Sequence, residues 1–129
     1  MIVVDCSVVV DALRGVADMV DLRSRLIDEE LHAPSLLDYE VLSTVRGLTL
    51  GSHLEVARAH DLLTDFDDLP VQRWAPADEL RRRALDLRDN VSAYDAAYVV
   101  LAEALACPLV TRDARLGRSR GHDARIEVL

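Results

Sequence analysis

The sequence contains no lysine, and all fifteen of its basic residues are arginine. This absence argues against two classes of phosphoryl-transfer protein. A phosphoacceptor receiver domain needs a strand-terminal lysine to bridge its acyl phosphate, and a haloacid-dehalogenase-type phosphatase needs a catalytic lysine. The second class also requires a DxD signature, which Asp5-Cys6-Ser7 does not provide. Both classes are therefore disfavoured.

Cysteine is scarce as well. Cys6 and Cys107 are the only two cysteines, and neither belongs to a CxxC or Cys/His spacing. This pattern argues against a disulfide framework and against a zinc site. We expect both residues to be buried free thiols, which is the usual state of unpaired cysteine.

Long apolar runs are also missing, since no segment approaches the ~20 residues that span a bilayer. The start of the chain lacks a basic segment followed by a small-residue cleavage site. We therefore expect no membrane association and a cytoplasmic location. The net charge of −8 argues against indiscriminate binding to nucleic-acid phosphates. Between positions 112 and 125, however, five arginines stand against two aspartates, a local charge of +3.

The bulk composition is typical of one globular domain covering residues 1–129. Its 129 residues are 50% hydrophobic and 29% charged, which suits a packed core rather than a disordered chain. Repeats, linkers and low-complexity tracts are absent from the sequence.

Short apolar segments alternate with amphipathic ones along the chain. Strands are predicted at 2–4, 31–33, 71–74, 109–111 and 125–129. Helices are predicted at 7–14, 17–30, 54–66, from Ser35 to Leu48, through Leu80 to Leu87, and at 93–106. Ser7 lies near the cap of the first helix and Gly15 ends it. Ser35 and Ser92 are the predicted caps of the helices that follow them. This alternation predicts an α/β three-layer sandwich with a mostly parallel five-stranded sheet flanked by helices.

Two predicted strands finish next to an acid. Asp5 follows 2–4 directly, and Asp113 follows 109–111. Ligands of open parallel sheets gather at the carboxyl ends of strands, near the point where the strand order reverses. Two simpler roles stay open: Asp5 could be a turn residue or cap of the next helix, and Asp113 could be a turn residue or the N-cap of 114–116.

Two further acids lie on predicted helices. Glu40 lies on or beside an apolar stripe that includes Leu36 and Leu37, although its head could also reach water at the edge of the core. Asp95 stands three residues after Ser92, as a capping-box or helix-dipole acid would. Tyr98 follows on the same helical face, which indicates that Asp95 points inward or into a cleft.

These four acids are informative only if the fold brings them together. Two like charges ~6 Å apart at an effective dielectric of ~20 repel by roughly 3 kcal/mol. Six such pairs could reach on the order of 15 kcal/mol, which matches the whole stability of a domain. Such a cluster must hold a cation or stay partly protonated. Oxygen ligands without Cys or His favour Mg²⁺ or Mn²⁺ over Zn²⁺.

Four segments, IVVDCS, PSLLDYEVLS, SAYDAAYVVLAEALACPLVTRDARL and RIEVL, resemble the PIN-domain ribonucleases and, within them, the VapC toxins of bacterial toxin–antitoxin pairs. The resemblance covers nearly the whole chain in the expected order and implies a PIN-like fold. It also implies Mg²⁺-dependent endonucleolytic cleavage of RNA, hydrolysis by a metal-activated water, a small cognate antitoxin that occupies the cleft, and a homodimer.

The resemblance also assigns roles to individual residues. The family's acidic quartet, which would be both catalytic and metal-binding, falls on Asp5, Glu40, Asp95 and Asp113. Its hydroxyl positions fall on Ser7 and Thr111, which could orient carboxylates by hydrogen bonding. We expect the first three acids to hold one Mg²⁺, with Mn²⁺ as a substitute, and the fourth to complete the site or bind a second ion.

Some side chains near the quartet leave alternatives open. Arg112 could grip a substrate phosphate, the role we favour, or pair with a neighbouring acid. Tyr94 and Tyr98 could stack on bases, but we expect both to pack in the core. A different kind of protein, a non-catalytic module that receives a basic peptide in its acidic cleft, is disfavoured by the intact quartet.

Overall fold

The computed structural model describes residues 1–16 and 20–129. Within them lie five strands: β1 (Ile2–Val4), β2 (Leu31–Pro34), β3 (Val71–Trp74), β4 (Leu109–Thr111) and β5 (Ile126–Val128). The same residues form the helices α1 (Cys6–Arg14), α2 (Val20–Asp28), α3 (Leu37–Leu50), α4 (Val56–Asp67), α5 (Asp78–Asp86), α6 (Ala93–Leu105) and α7 (Ala114–Gly117). Each predicted strand is present, to within two residues at its ends.

The five strands form one sheet in the order β3-β2-β1-β4-β5, and every pairing is parallel. The predicted α/β class is confirmed, and the sheet is wholly rather than mostly parallel. The central strand β1 is at most 1% exposed along its length. A strand covered on both faces reads as a continuous apolar run, which is why Ile2-Val3-Val4 lacks polar alternation.

Helices cover the sheet in two groups. The most buried helix, α6, contacts β1, β2, β4 and α5, whereas α1 contacts β4 and packs with α2, α3 and α4. This arrangement is the predicted three-layer sandwich. No helix of the described residues has the length and apolar character needed to cross a membrane.

The strand order reverses between β1 and β4. From β1 the chain builds β2 and β3 on one side, whereas β4 and β5 extend the sheet on the other side. The loops that leave β1 and β4 therefore diverge and open a crevice at their carboxyl ends. Asp5 and Asp113 both lie at this crevice, because each follows one of these two strands.

One predicted helix cap is wrong, and one of the roles left open for Asp5 is confirmed. The N-cap of α1 is Asp5 and not Ser7, because the Asp5 carboxylate reaches the Val8 N–H. The predicted Ser35 cap of α3 is absent: the helix begins at Leu37, and its N-cap position makes no side-chain hydrogen bond. Local side chains compete for these backbone donors, and sequence spacing alone does not decide the outcome.

Other helix boundaries differ by a few residues. Helix α2 covers 20–28 instead of 17–30: residues 17–19 lie outside the described residues, and the chain must leave the helix before β2 begins. Helix α4 begins two residues later than predicted. Gly15 does end α1, with a φ of 69° in the left-handed region that glycine adopts without strain.

The predicted burial of three side chains needs correction. Tyr94 is 71% exposed and so lies outside the core, because it occupies the first turn of α6 beside an open cavity. Tyr98, one turn further along, is 2% exposed as predicted. Cys6 and Cys107 are free thiols as predicted, although they are half-buried rather than buried.

Candidate active site

Asp5 combines a structural role with a position in the crevice. Its side chain is 9% exposed and caps α1 by accepting a hydrogen bond from the Val8 N–H at 3.1 Å. The same oxygen, Oδ1, accepts from the Ser7 hydroxyl at 2.6 Å, and Oδ2 accepts from the Thr111 hydroxyl. Capping and pocket lining are therefore not alternatives here, because one carboxylate does both.

Ser7 and Thr111 connect the ends of the two strands beside the crevice. Ser7 Oγ accepts from the Arg112 N–H at 3.0 Å, and Thr111 Oγ1 accepts from the Asp113 N–H at 3.0 Å. Each hydroxyl donates to Asp5 at the same time. The loops after β1 and β4 are thus held together by hydrogen bonds that also fix the Asp5 carboxylate.

Glu40 reaches the pocket from the first turn of α3. Its Oε1 accepts a hydrogen bond of 2.6 Å from the hydroxyl of Tyr98, which lies 58 positions away on α6. Burial and the neighbouring Glu40 raise the pKa of Tyr98, so this phenol stays protonated and donates at neutral pH. This hydrogen bond from α6 to α3 therefore fixes where the Glu40 carboxylate lies.

Asp95 and Asp113 both line the pocket, and one arginine lies near both. Asp95 lies in the first turn of α6, where its N–H donates to the Ser92 cap at 3.2 Å. Asp113 caps α7 by accepting from the Arg115 and Leu116 N–H groups. The Arg115 guanidinium lies 3.1 Å from Asp113 Oδ2 and 3.9 Å from Asp95 Oδ2. A protein cation therefore stands beside both acids.

All four predicted acids line one pocket of about 470 Å³. Its wall also includes Cys6, Ser7, Val10, Asp11, Arg14, Ser43, Thr44, Leu48 and Tyr98. Residues that are far apart in sequence thus meet at the carboxyl edge of the sheet, where the strand order reverses.

The pocket disfavours the charged form of two of its acids. Burial raises the pKa of Asp5 despite the opposing hydrogen bonds from Ser7 and Thr111. Burial also raises the pKa of Glu40: the Tyr98 hydrogen bond opposes this, and repulsion from Asp95 and Asp5 adds to it. That repulsion indicates that three of the acids share one electrostatic environment.

The pKa of Asp113 is shifted in the opposite direction. Burial works against its ionisation, but the hydrogen bonds and positive charge of Arg115 lower the pKa of Asp113 below its ordinary value. The quartet thus contains two acids whose charged form is disfavoured, Asp5 and Glu40, and one whose charged form is stabilised by a nearby cation, Asp113.

The quartet suits a hard divalent ion by its chemistry, because its ligands are carboxylate oxygens alone. Within residues 1–16 and 20–129, however, no three His, Cys, Asp or Glu side chains converge closely enough to hold one ion as they now lie. Asp5, Glu40 and Asp113 each accept hydrogen bonds from protein donors. The quartet therefore fits the ion by the chemistry of its donors, and the distances between its carboxylates do not themselves form a metal site.

Arg112 makes an ion pair next to the pocket. Its Nε lies 2.9 Å from Oδ2 of Asp11, which also lines the pocket. The sequence left two roles open for Arg112, and this contact corresponds to pairing with a neighbouring acid. Binding of a substrate phosphate by Arg112 stays a prediction.

Two residues of the site were not recognised from the sequence. Tyr98 was expected only to pack, although its position one turn after Asp95 on the same face could have indicated a role in the pocket. Arg115 was counted only within the basic stretch, although it stands two residues after the last acid. Nothing in local spacing indicates which arginine of that stretch turns back onto the carboxylates.

A larger cavity of about 600 Å³ lies beside α5 and the first turn of α6. Apolar side chains such as Leu80, Leu85 and Leu101 line it, and it contains none of the four acids. We assign the chemistry to the smaller pocket because the ionisable groups with shifted pKa values gather there.

Comparison with known proteins supports the fold. The family model for the PIN domain matches residues 2–121. The chain is 36% identical to Ribonuclease VapC12 of Mycobacterium tuberculosis over 129 residues, which is 100% of this chain and 99% of that protein. It is 42% identical to Ribonuclease VapC9 of the same organism over 116 residues, covering 90% of this chain and 88% of that protein.

A solved structure has the same fold at low sequence identity. The crystal structure of VapBC2 from Rickettsia felis, bound to a DNA fragment from their promoter, superposes with a TM-score of 0.71 at 16% identity. The match covers 99% of this chain and 98% of that chain. Because the family model and the relatives extend over nearly all of the sequence, the chain belongs to the PIN-domain family and, within it, to the VapC ribonucleases.

Proposed function

We propose that this chain is a Mg²⁺-dependent endoribonuclease that acts as the toxin of a toxin–antitoxin pair in the cytoplasm. The observation that carries the proposal is the meeting of Asp5, Glu40, Asp95 and Asp113 in one pocket at the reversal of strand order. The names of the relatives, which are ribonucleases, support the same reaction class.

In this proposal Asp5, Glu40 and Asp95 hold one Mg²⁺, or Mn²⁺ in its place, and Asp113 completes the site. When bound, the ion would lower the pKa of a water and screen the charge that develops on the phosphodiester. Ser7 and Thr111 hold the Asp5 carboxylate through their hydroxyls, and Tyr98 holds Glu40. These second contacts keep the acids in place while RNA binds.

Side-chain nucleophiles in the pocket are poorly suited to the reaction. The Ser7 hydroxyl donates to Asp5 and its oxygen accepts from the Arg112 N–H, so in this proposal it supports a metal-binding carboxylate. Burial raises the pKa of the Cys6 thiol to about 11, even though a hydrogen bond with Thr44 opposes the shift. The thiol is therefore protonated at neutral pH, which favours hydrolysis by water over a covalent intermediate.

The proposal is tested by incubating purified protein with mixed RNA in Mg²⁺, in Mn²⁺ and in EDTA. We expect fragments only with a divalent ion and none from Asp95→Asn, whereas Asp89→Asn, which removes an exposed acid, should cut like the wild type. Sequencing the 5′ ends of the fragments would identify the bases at the cut. Absence of metal-dependent fragments under broad conditions would contradict the proposal and favour a non-catalytic module that binds a basic peptide.

Two partners belong to the same proposal. We expect a small cognate antitoxin to occupy the acidic cleft and the toxin to form a homodimer, as the family resemblance implies. Structures of similar fold are complexes named VapBC2 and FitAB. Co-expression with the small reading frame beside its gene should yield a complex without RNase activity, and light scattering should give about twice the 14.3 kDa of the chain.

A further inference from the structure

We propose that Arg115 is an exchangeable cation of the active site. Its guanidinium pairs with Asp113 and Asp95 when no divalent ion is bound, and it contacts a phosphate of the substrate when a divalent ion binds these acids. This inference rests on the proposed nuclease function. It assigns to Arg115 a role in both metal binding and RNA binding.

Arg115 contacts two members of the quartet. Its backbone N–H donates to Asp113 Oδ1 at 2.8 Å, and its guanidinium donates to Oδ2 at 3.1 Å. Both oxygens of this carboxylate are therefore engaged by one residue. The guanidinium also lies within 3.9 Å of Asp95 Oδ2.

The guanidinium thus competes with a divalent ion for Asp113. The guanidinium offsets the negative charge of Asp113 and takes up one acceptor site of Oδ2, so the carboxylate attracts a divalent ion less strongly while the pair is formed. The competition is weak, since the Arg115 side chain is 79% exposed and exposed ion pairs contribute little. An ion with twice the charge, held by several carboxylates at once, displaces the guanidinium.

The displaced side chain remains at the pocket mouth. Its backbone is fixed in α7, which Asp113 caps through the Arg115 and Leu116 N–H groups, so only the side chain moves. An RNA backbone that approaches the acids brings phosphates to this point. The planar guanidinium can donate two parallel hydrogen bonds to a phosphate. The same arginine therefore pairs with the acids before the metal binds and with the RNA backbone afterwards.

Arg115→Gln removes the charge without changing the backbone, and Arg118→Gln is the matched control. Arg118 is also exposed, stands three residues later at the end of α7, and loses the same charge on substitution. Long-range electrostatic effects are therefore similar in the two variants. A difference between them reports the contact of Arg115 with the acids, and circular dichroism checks that both are folded.

Mn²⁺ binding to RNA-free protein, measured by calorimetry, tests the first half of the proposal. We expect Arg115→Gln to bind Mn²⁺ roughly two- to fivefold more tightly than Arg118→Gln, since an exposed competing ion pair has been removed. Equal Mn²⁺ affinities in the two variants would overturn the competition. Failure of every variant to bind Mn²⁺ would overturn both this inference and the proposed function.

RNA binding tests the second half. Fluorescence anisotropy with a mixed-sequence RNA oligonucleotide uses Ca²⁺ in place of Mg²⁺, and a gel verifies that the RNA stays intact. We expect Arg115→Gln to bind RNA roughly three- to tenfold more weakly than Arg118→Gln, with a shallower salt dependence. RNA affinity equal to the control would overturn the phosphate contact.

Wild-type protein that binds Mn²⁺ but cuts no RNA would contradict the proposed function alone. The calorimetric comparison of the two variants would still decide for or against the competition at Asp113.

Discussion

Glu40 is a half-buried carboxylate that stands close to two other negative charges. Burial raises its pKa above the ordinary value of 4.5, with repulsion from Asp95 and Asp5 in the same direction. The folded protein therefore holds a proton on Glu40 more readily than the unfolded chain does. The stability that this group contributes is present below pH 4.5 and is lost as the pH rises through the folded-state pKa.

Glu40→Gln should consequently stabilise the metal-free protein at pH 7. Glutamine keeps an oxygen that can accept from Tyr98 and removes the buried charge. We expect Tm in EDTA to rise by a few degrees at pH 7. At pH 4 the gain should nearly vanish, because the wild-type carboxyl is largely protonated in both states. A thermal melt at the two pH values measures this, and a Tm gain of equal size at both would contradict the electrostatic explanation.

Tyr98→Phe tests whether the position of Glu40 depends on its hydrogen bond with the phenol. Phenylalanine fills the same buried space but donates nothing to Glu40, so we expect about 1 kcal/mol of lost stability. Metal affinity or cleavage rate should fall by about ten- to hundredfold, as is usual when a residue that orients a metal ligand is removed. Tyr94→Phe, at an exposed position on the same helix, is the control. Equal Mn²⁺ affinity and equal cleavage in the two variants would show that Glu40 needs no such support.

Helix N-termini deliver the acids to the pocket. Asp5 caps α1, Glu40 and Asp95 lie in the first turns of α3 and α6, and Asp113 caps α7. The positive end of a helix dipole stabilises a nearby carboxylate by about 0.3–1 kcal/mol. The three longer helices together supply only about 1–3 kcal/mol. This is far below the repulsion of a fully ionised quartet, on the order of 15 kcal/mol, so the pocket still needs protons, Arg115 or a divalent ion.

Ser92 determines how firmly the first turn of α6 is held. Its hydroxyl accepts from the N–H of Asp95, so Ser92→Ala should lower the free energy of unfolding by about 1 kcal/mol. Fraying of this turn also displaces Asp95, and Mn²⁺ affinity should fall with stability. Urea denaturation measures the first effect and calorimetry the second. Ser92→Thr retains the cap and should behave like the wild type. If the alanine variant matched the threonine variant, the cap would have no role in the site.

For the molecule as a whole, the sheet and the placement of Asp5 and Asp113 at one of its edges could be predicted from local patterns, whereas their grouping with Glu40 and Asp95 is what the family resemblance implies. Buried parallel strands read as apolar runs, and Asp5 and Asp113 stand directly after two of them. The contact between Glu40 and Tyr98 could not be predicted in this way, because it joins residues 58 positions apart that meet only in the tertiary fold. The direction in which Arg115 turns likewise depends on where α7 lies in the fold.

Competition between nearby side chains explains the wrong local predictions. Serine is a common helix cap, but Asp5 caps α1 instead of Ser7. The Ser7 hydroxyl accepts from the Arg112 N–H and so connects the ends of β1 and β4. Ser35 is the predicted cap of α3, with Asp38 three residues later as in a capping box, but the Asp38 carboxylate accepts from the guanidinium of Arg73 on β3. In each case a partner distant in sequence decides the outcome, and such partners become adjacent only in the folded chain.

Titration of Mn²⁺ into metal-free protein tests most directly whether the quartet forms one cation site. Wild type, Asp95→Asn and Asp89→Asn are compared by calorimetry, with Asp89 chosen as an exposed acid whose loss changes the net charge equally. We predict that wild type and Asp89→Asn bind Mn²⁺ with the same affinity and that Asp95→Asn binds at least about tenfold more weakly. Equal affinity in all three proteins would show that Asp95 takes no part in a shared site.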